Sequence, residues 1–220
     1  MRPTPDFMHW WLEANARFDD CHTPDELFED TSRLTRALGF QRFAWGRRRA
    51  VPFSQARAQF TGTYPAAWLA DQDRFPPPGL LLWDDKADAP GSLRDIGFAS
   101  GATFTQRCRD SGWQMLCVAR QKGPLKSAEL LPLKLHLRSL LELLDEHLER
   151  VEGRAAAIPL SDRETEILRW IADGKCSKGI AAILDLSEHT VNFHIKSILR
   201  KFDSPNRVQA AAQAAALGLI

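Results

Sequence analysis

Apolar positions along the chain switch between helical and strand-like spacing, and the switches divide it into elements. Near the N-terminus, "PDFMHWWLEANARF" sets Phe7, Trp10 and Trp11 at helical spacing. "TPDELFEDTSRLTRALGF" predicts a second helix, with Thr23 as N-cap, Pro24 at the first position, Glu26 completing a capping box and Gly39 as the stop. Short runs at "FQRFAWG" and "ARAQFTG" predict strands. "YPAAWLADQDRF" predicts a short helix, which "FPPPG" must end because proline cannot continue one. Two more strands are expected at "GATFTQRC" and "WQMLCVARQ", split by the turn residues Asp110, Ser111 and Gly112.

The longest periodic segment is "LKSAELLPLKLHLRSLLELLDEHLERVEG". Leu133, Leu137, Leu140, Leu144, Leu148 and Val151 form a narrow coiled-coil-like seam, widened by Leu130, Leu141 and Leu143. Such a helix can lie over its own sheet, or part of its stripe can also meet a second subunit. "EGRAAAIP" then reads as a linker, giving a first domain over 1–151, a linker over 152–159 and a second domain over 160–220.

The second domain reads as four short helices. Ser161 and Glu164 form a capping-box pair, Ile167, Leu168, Ile171 and Ala172 give an apolar face, and Gly174 stops the helix. Another helix runs from Ser177 through "KGIAAIL", followed by a tight turn at Asp185 and Leu186. Ser187 can cap the third helix, with Glu188 favouring its positive end. Ser204 and Pro205 are expected to cap and start the fourth, which Gly218 ends. The short turn between the second and third helices predicts helix-turn-helix geometry.

In "LSEHTVNFHIKSILRKF" the apolar stripe is Val191, Ile195, Ile198 and Phe202, and the opposite side carries Asn192, Phe193, Lys196, Arg200 and Lys201. An amide can pair with adenine, an ammonium with guanine O6 and N7, and an aromatic edge with a thymine methyl. Asn192, Phe193 and Lys196 are therefore candidate base contacts. Lys175, Ser187, Thr190, His194, Arg200, Lys201 and Arg207 are candidate phosphate contacts. An ordinary solvated helix face would not need the exposed Phe193.

Charge supports a local reading. The whole chain carries a net charge of only +1, but from Gly174 onward six Lys/Arg stand against three acids. Four cysteines (21, 108, 117 and 176) stand apart without metal-ligand spacing, so reduced thiols in the cytoplasm are expected and no metal site. No signal peptide is evident, and no apolar run reaches membrane-spanning length. "GKCS" is not a phosphate loop, which needs Gly at Arg169 and Ser or Thr at Cys176. No nucleophile and base stand at motif spacing, so an enzyme is not expected.

Residues 160–220 resemble the DNA-binding domain of LuxR-type transcription regulators. The family's Glu, Leu and Gly landmarks fall on Glu164, Leu168 and Gly174, and its "TVxxH" signature falls on Thr190, Val191 and His194. The resemblance implies base contacts from Asn192, Phe193 and Lys196 in double-stranded DNA, and a fourth helix that pairs two such domains. Gly179 stands where the family usually has Glu, and Cys176 where Thr is common. Glycine there weakens a helix by about 1 kcal/mol relative to alanine.

The element order of residues 1–151 resembles the acyl-homoserine-lactone-binding domain of quorum-sensing regulators, which implies an α/β/α sandwich. "TYPAAW" is similar to that family's "YPxxW", placing Trp68 where an indole N–H would hold a lactone carbonyl. Trp83 resembles the later pocket tryptophan, and "DIGFASGATF" aligns Gly101 with a landmark glycine. Gln72 replaces the family's pocket tyrosine, and "DRFPPPGLLLWDD" lacks the Asp-Pro pair whose carboxylate accepts the ligand's amide N–H. An amide left without its acceptor forfeits roughly 1–3 kcal/mol.

The overall expectation is an α+β chain: a sandwich sensor-like domain followed by an all-α four-helix helix-turn-helix domain. Its expected role is a homodimeric cytoplasmic transcription regulator with a degenerate pocket, ligand-independent or open to a non-standard autoinducer-like small molecule. The alternative is an antagonist that forms heterodimers with a ligand-responsive relative.

Overall fold

The computed structural model describes residues 5–50, 58–70, 76–84, 97–108, 112–121, 123–152 and 158–220. Their elements, in order, are α1 (Phe7–Asp19), α2 (Pro24–Ala37), β1 (Arg42–Arg48), β2 (Ala58–Gly62), α3 (Ala66–Ala70), β3 (Gly79–Asp84), β4 (Ser100–Arg107), β5 (Trp113–Arg120) and α4 (Ser127–Val151). The C-terminal part holds α5 (Asp162–Ala172), α6 (Ser177–Leu184), α7 (Glu188–Phe202) and α8 (Arg207–Ala216). The chain divides into two compact units, the second comprising mainly Ala156–Ile220.

In the first unit the five strands form an antiparallel sheet of order β2-β1-β5-β4-β3. The period of two sends alternate side chains to opposite faces. Phe43, Trp45, Ala102, Phe104, Leu116 and Val118 meet α1, α2 and α4 on one face. Trp10, Ala14 and Phe18 supply the buried side of α1, while Leu27 and Leu34 supply that of α2. The opposite face gathers Ala44, Met115, Cys117 and Ala119 with Tyr64, Trp68, Trp83 and Phe98.

The capping box of α2 forms as its sequence predicts, with Thr23 accepting from the Glu26 N–H and Glu26 accepting from the Thr23 N–H. The leucine seam of α4 is consumed by its own unit. Leu133, Leu137, Leu140, Leu144 and Leu148 are all buried in the core beneath the helix, and the exposed leucines, Leu131 and Leu135, lie off the seam. A buried ion pair ties the same helix to the sheet: Arg47 of β1 reaches Asp145 at 3.2 Å and Glu149 at 3.6 Å.

Strand β3 carries no periodic signal in the sequence. Its apolar run "LLLW" neither alternates nor contains a β-branched residue, and it follows three prolines. Its partner supplies the missing specification: β3 pairs with β4 in a register that sets Trp83 opposite Gly101. A Cβ on Gly101 would lie 2.2 Å from the Trp83 ring and 2.3 Å from the Val118 carbonyl oxygen, so the glycine makes room for the indole.

The second unit packs four helices around Ile167, Leu168, Ile171, Ile180, Ala181, Val191, Ile195, Ile198, Phe202, Ala210, Ala211 and Ala214. One boundary departs from expectation. Asn206, not Ser204, caps α8 by accepting from the Gln209 N–H, while the buried Ser204 hydroxyl donates to Gln213. A proline at 205 does not force the cap onto its neighbour when the next residue is an asparagine, itself a strong N-cap.

Gly179 lies inside α6, and a Cβ there would meet only the Cys176 sulfur at an ordinary 3.7 Å. Gly179→Ala should therefore raise the stability of this unit by about 0.5–1 kcal/mol. A higher midpoint in thermal unfolding checks this; a lower one would mean that the glycine serves something other than the helix.

Candidate nucleic-acid interface and ligand face

The orientation of α7 follows from its pattern. Val191, Ile195, Ile198 and Phe202 are buried, which turns Asn192, Phe193, Lys196 and Arg200 to the exposed side. Phe193 is 66% exposed, a large apolar surface at the middle of a charged strip. Its ring stands edge-on to that of His194, 5.9 Å away. The chain enters α7 from α6 through Asp185, which adopts the left-handed conformation with φ 54°, and the Leu186 N–H closes back on the Ala181 carbonyl at 2.9 Å.

The N-terminus of α7 is closed by a side-chain cap. Ser187 caps it by accepting from the Thr190 N–H at 3.0 Å, and the two hydroxyls share a hydrogen bond at 2.8 Å. Only one of the two hydroxyl protons is used in that bond, so the pair keeps one donor for an outside oxygen. Glu188 in the first turn, with Arg200 and Lys201 in the last, complements the helix dipole. Lys175 is exposed between α5 and α6, and Arg207 opens α8.

Lys201 is placed differently from the other candidate phosphate contacts. Its ammonium donates to the Glu164 carboxylate at 2.7 Å and to the Pro159 carbonyl at 2.5 Å. Glu164 is almost fully buried and also accepts from the Ser161 N–H at 2.7 Å and the Ser197 hydroxyl at 2.8 Å. Burial opposes its ionisation, but the bonds from Lys201, Ser161 and Ser197 prevail and hold the carboxyl at about 2. This carboxylate fastens the linker end, α5 and α7 together.

Sequence reasoning missed two of these features. Capping explained Glu164 sufficiently that nothing signalled its bond to Lys201. Ser177 at the start of α6 donates to the Asn192 amide oxygen at 2.8 Å, a contact no local spacing rule reveals.

Three of the four candidate pocket residues meet on the sheet face opposite α1, α2 and α4: Trp68 from α3, Trp83 from β3 and Gly101 from β4. Gln72 lies outside the described residues. Tyr64 packs edge-on to Trp68 at 4.7 Å, and Phe60 does so at 6.0 Å. Among the described residues the Trp68 indole N–H and the Tyr64 hydroxyl are buried without hydrogen-bond partners. Two such donors on an apolar face each cost about 1–3 kcal/mol unless something meets them. Burial also pushes the Tyr64 hydroxyl well above its ordinary pKa, so it stays a donor.

Known proteins resemble both units of the chain. The family profile "Bacterial regulatory proteins, luxR family" matches residues 158–214, and "Autoinducer binding domain" matches residues 23–75. The HTH-type quorum-sensing regulator RhlR of Pseudomonas aeruginosa is 36% identical over 241 residues, covering 100% of both chains. The regulatory protein SdiA of Escherichia coli is 31% identical, with 98% of each chain covered. A crystal structure of SdiA superposes with a TM-score of 0.80 over 98% of this chain and 99% of that one. A second, SdiA in complex with octanoyl-rac-glycerol, superposes with a TM-score of 0.78 over 100% of this chain and 98% of that one. With its mixed α/β N-terminal unit, its helix-turn-helix and full-length likeness to such regulators, the chain belongs to the LuxR family of DNA-binding transcription regulators.

Proposed function

We propose that the protein binds specific duplex sites as a homodimer in the cytoplasm, laying α7 in the major groove. The observation that carries this reading is the division of α7: four apolar residues buried, and Asn192, Phe193, Lys196 and Arg200 turned outward. Asn192, Phe193 and Lys196 contact bases. Lys175, Ser187, Thr190, His194, Arg200 and Arg207 contact phosphates; Lys201 leaves that set, because its ammonium is neutralised by Glu164 and also donates to the Pro159 carbonyl. Pairing of two chains is supported by exposed apolar residues: Val208 of α8 at 69% and Leu131 of α4 at 68%. No helix among the described residues is long and apolar enough to cross a membrane.

Affinity should fall with rising salt as counterions return to the phosphates. Asn192→Ala and Lys196→Ala should each cost about 1–3 kcal/mol on the preferred site and relax preference at particular base pairs. Arg200→Ala should weaken selected and random duplexes alike. Titrating all three variants against both duplex types checks this. Equal losses on both duplex types for every variant would refute the assignment of the base contacts.

The sensor unit is a degenerate pocket that takes a small acyl ligand whose head has no amide N–H. The unpartnered donors of Trp68 and Tyr64 suit ester or hydroxyl oxygens, and the missing Asp-Pro acceptor costs such a head nothing. Octanoyl-rac-glycerol, held by SdiA, has this chemistry: an ester and hydroxyls without an amide. The test is purification from a foreign host, with and without added octanoyl glycerol or octanoyl-homoserine lactone. A larger rise in melting temperature with the glycerol ester is expected; a larger rise with the lactone would overturn this choice of head group. The alternative of a heterodimeric antagonist loses the support of the leucine seam, which is buried in its own core.

A further inference from the structure

Ser177 is neither a proposed base contact nor a proposed phosphate contact, yet it touches one of the proposed base readers. Half-buried at the first position of α6, it donates its hydroxyl to Asn192 Oδ1 at 2.8 Å. We infer that Ser177 is a positioning residue for Asn192, holding the amide in one place and one sense before DNA arrives. This rests on the reading of α7 as the groove helix.

An exposed asparagine ordinarily samples several rotamers, and its amide can present the oxygen or the nitrogen at either end. In this structure the oxygen is held on the α6 side, which leaves the amide N–H donors for a base edge. Recognition of adenine requires both ends in a fixed order, a donor for N7 and an acceptor for N6–H. The oxygen has a second lone pair for that N6–H while the first remains with Ser177. Preference therefore depends on the hydroxyl, although Ser177 itself need not touch DNA.

The support behind Ser177 is stiff. Ile180 and Ala181 of α6 are buried against the same core as Val191 of α7, and the Leu186 N–H is bonded to the Ala181 carbonyl. Helix α6 thus carries the hydroxyl on a fixed frame, and α7 carries the amide. Capping does not account for the contact: Cys176 is the N-cap of α6, and its side chain makes no capping bond.

The full-length protein should be used to enrich duplexes from a randomised pool, and its affinity for the enriched and unselected pools compared at fixed salt. Ser177→Ala should lower the preference for enriched over unselected duplex about three- to tenfold, leaving affinity for the unselected pool and the melting temperature unchanged. Ser177→Thr keeps the hydroxyl and should retain the preference. On an Asn192→Ala background, Ser177→Ala should add no further loss. Wild-type preference in Ser177→Ala, or the same loss with and without Asn192, would overturn the inference while leaving the groove reading intact. If Asn192→Ala itself keeps the full preference, its assignment as a base contact falls too.

Discussion

Glu164→Ala should destabilise the C-terminal unit by about 3 kcal/mol, the largest loss expected from any single polar substitution there. The residue is 4% exposed and its carboxylate meets three separate donors, Ser161, Ser197 and Lys201. Removing it strands the Lys201 ammonium beside the Pro159 carbonyl and leaves the N-cap without its reciprocal acceptor. The same group makes stability depend on pH. Its folded pKa of about 2 lies below the ordinary 4.5, so the unfolded chain takes up the proton first as pH falls. The contribution is complete above about pH 4.5 and disappears as pH falls toward 2. The pKa difference corresponds to about 3 kcal/mol, in keeping with the substitution. Urea unfolding of the wild type and Glu164→Gln at pH 7 and pH 3 checks both statements. A gap between them as wide at pH 3 as at pH 7 would show that the ionised carboxylate is not the source.

Gly101→Ala should cost the N-terminal unit about 1–3 kcal/mol, though it adds a single methyl group. The new carbon would stand 2.2 Å from the Trp83 indole and 2.3 Å from the Val118 carbonyl oxygen. The first obstacle is a buried ring and the second is backbone, so neither can step aside cheaply. If the sheet gives way, β3 lifts from β4, the Trp83 emission shifts and the first unit melts earlier. If Gly101→Ala melts with the wild type and leaves the Trp83 emission unchanged, the ring has more space than the register implies.

The helix-turn-helix was legible because its information is local. The stripe Val191, Ile195, Ile198 and Phe202 fixes which side of α7 is buried, and the opposite side follows. Caps at Thr23, Ser161 and Ser187 were equally readable, since each satisfies an N–H three residues away. Contacts that close over long sequence distances left no such trace. Lys201 reads as one more cation on a basic helix until Glu164, on another helix, is brought beneath it. Arg47 reads as the polar residue of a strand until α4 delivers Asp145 to it. The Leu133–Leu148 seam was ambiguous for a related reason: periodicity states that a face is buried, not what buries it.

Asp185 and Asp203 each hold a left-handed backbone at the end of a helix, with φ of 54° and 47°. Side chains larger than glycine adopt that conformation at a cost of about 1 kcal/mol, and a carboxylate opposes the negative end of the helix it follows. Neither residue is among the proposed DNA contacts. Exchanging these two carboxylates for glycine therefore offers a route to a heat-tolerant form of the regulator whose sequence taste is unaltered.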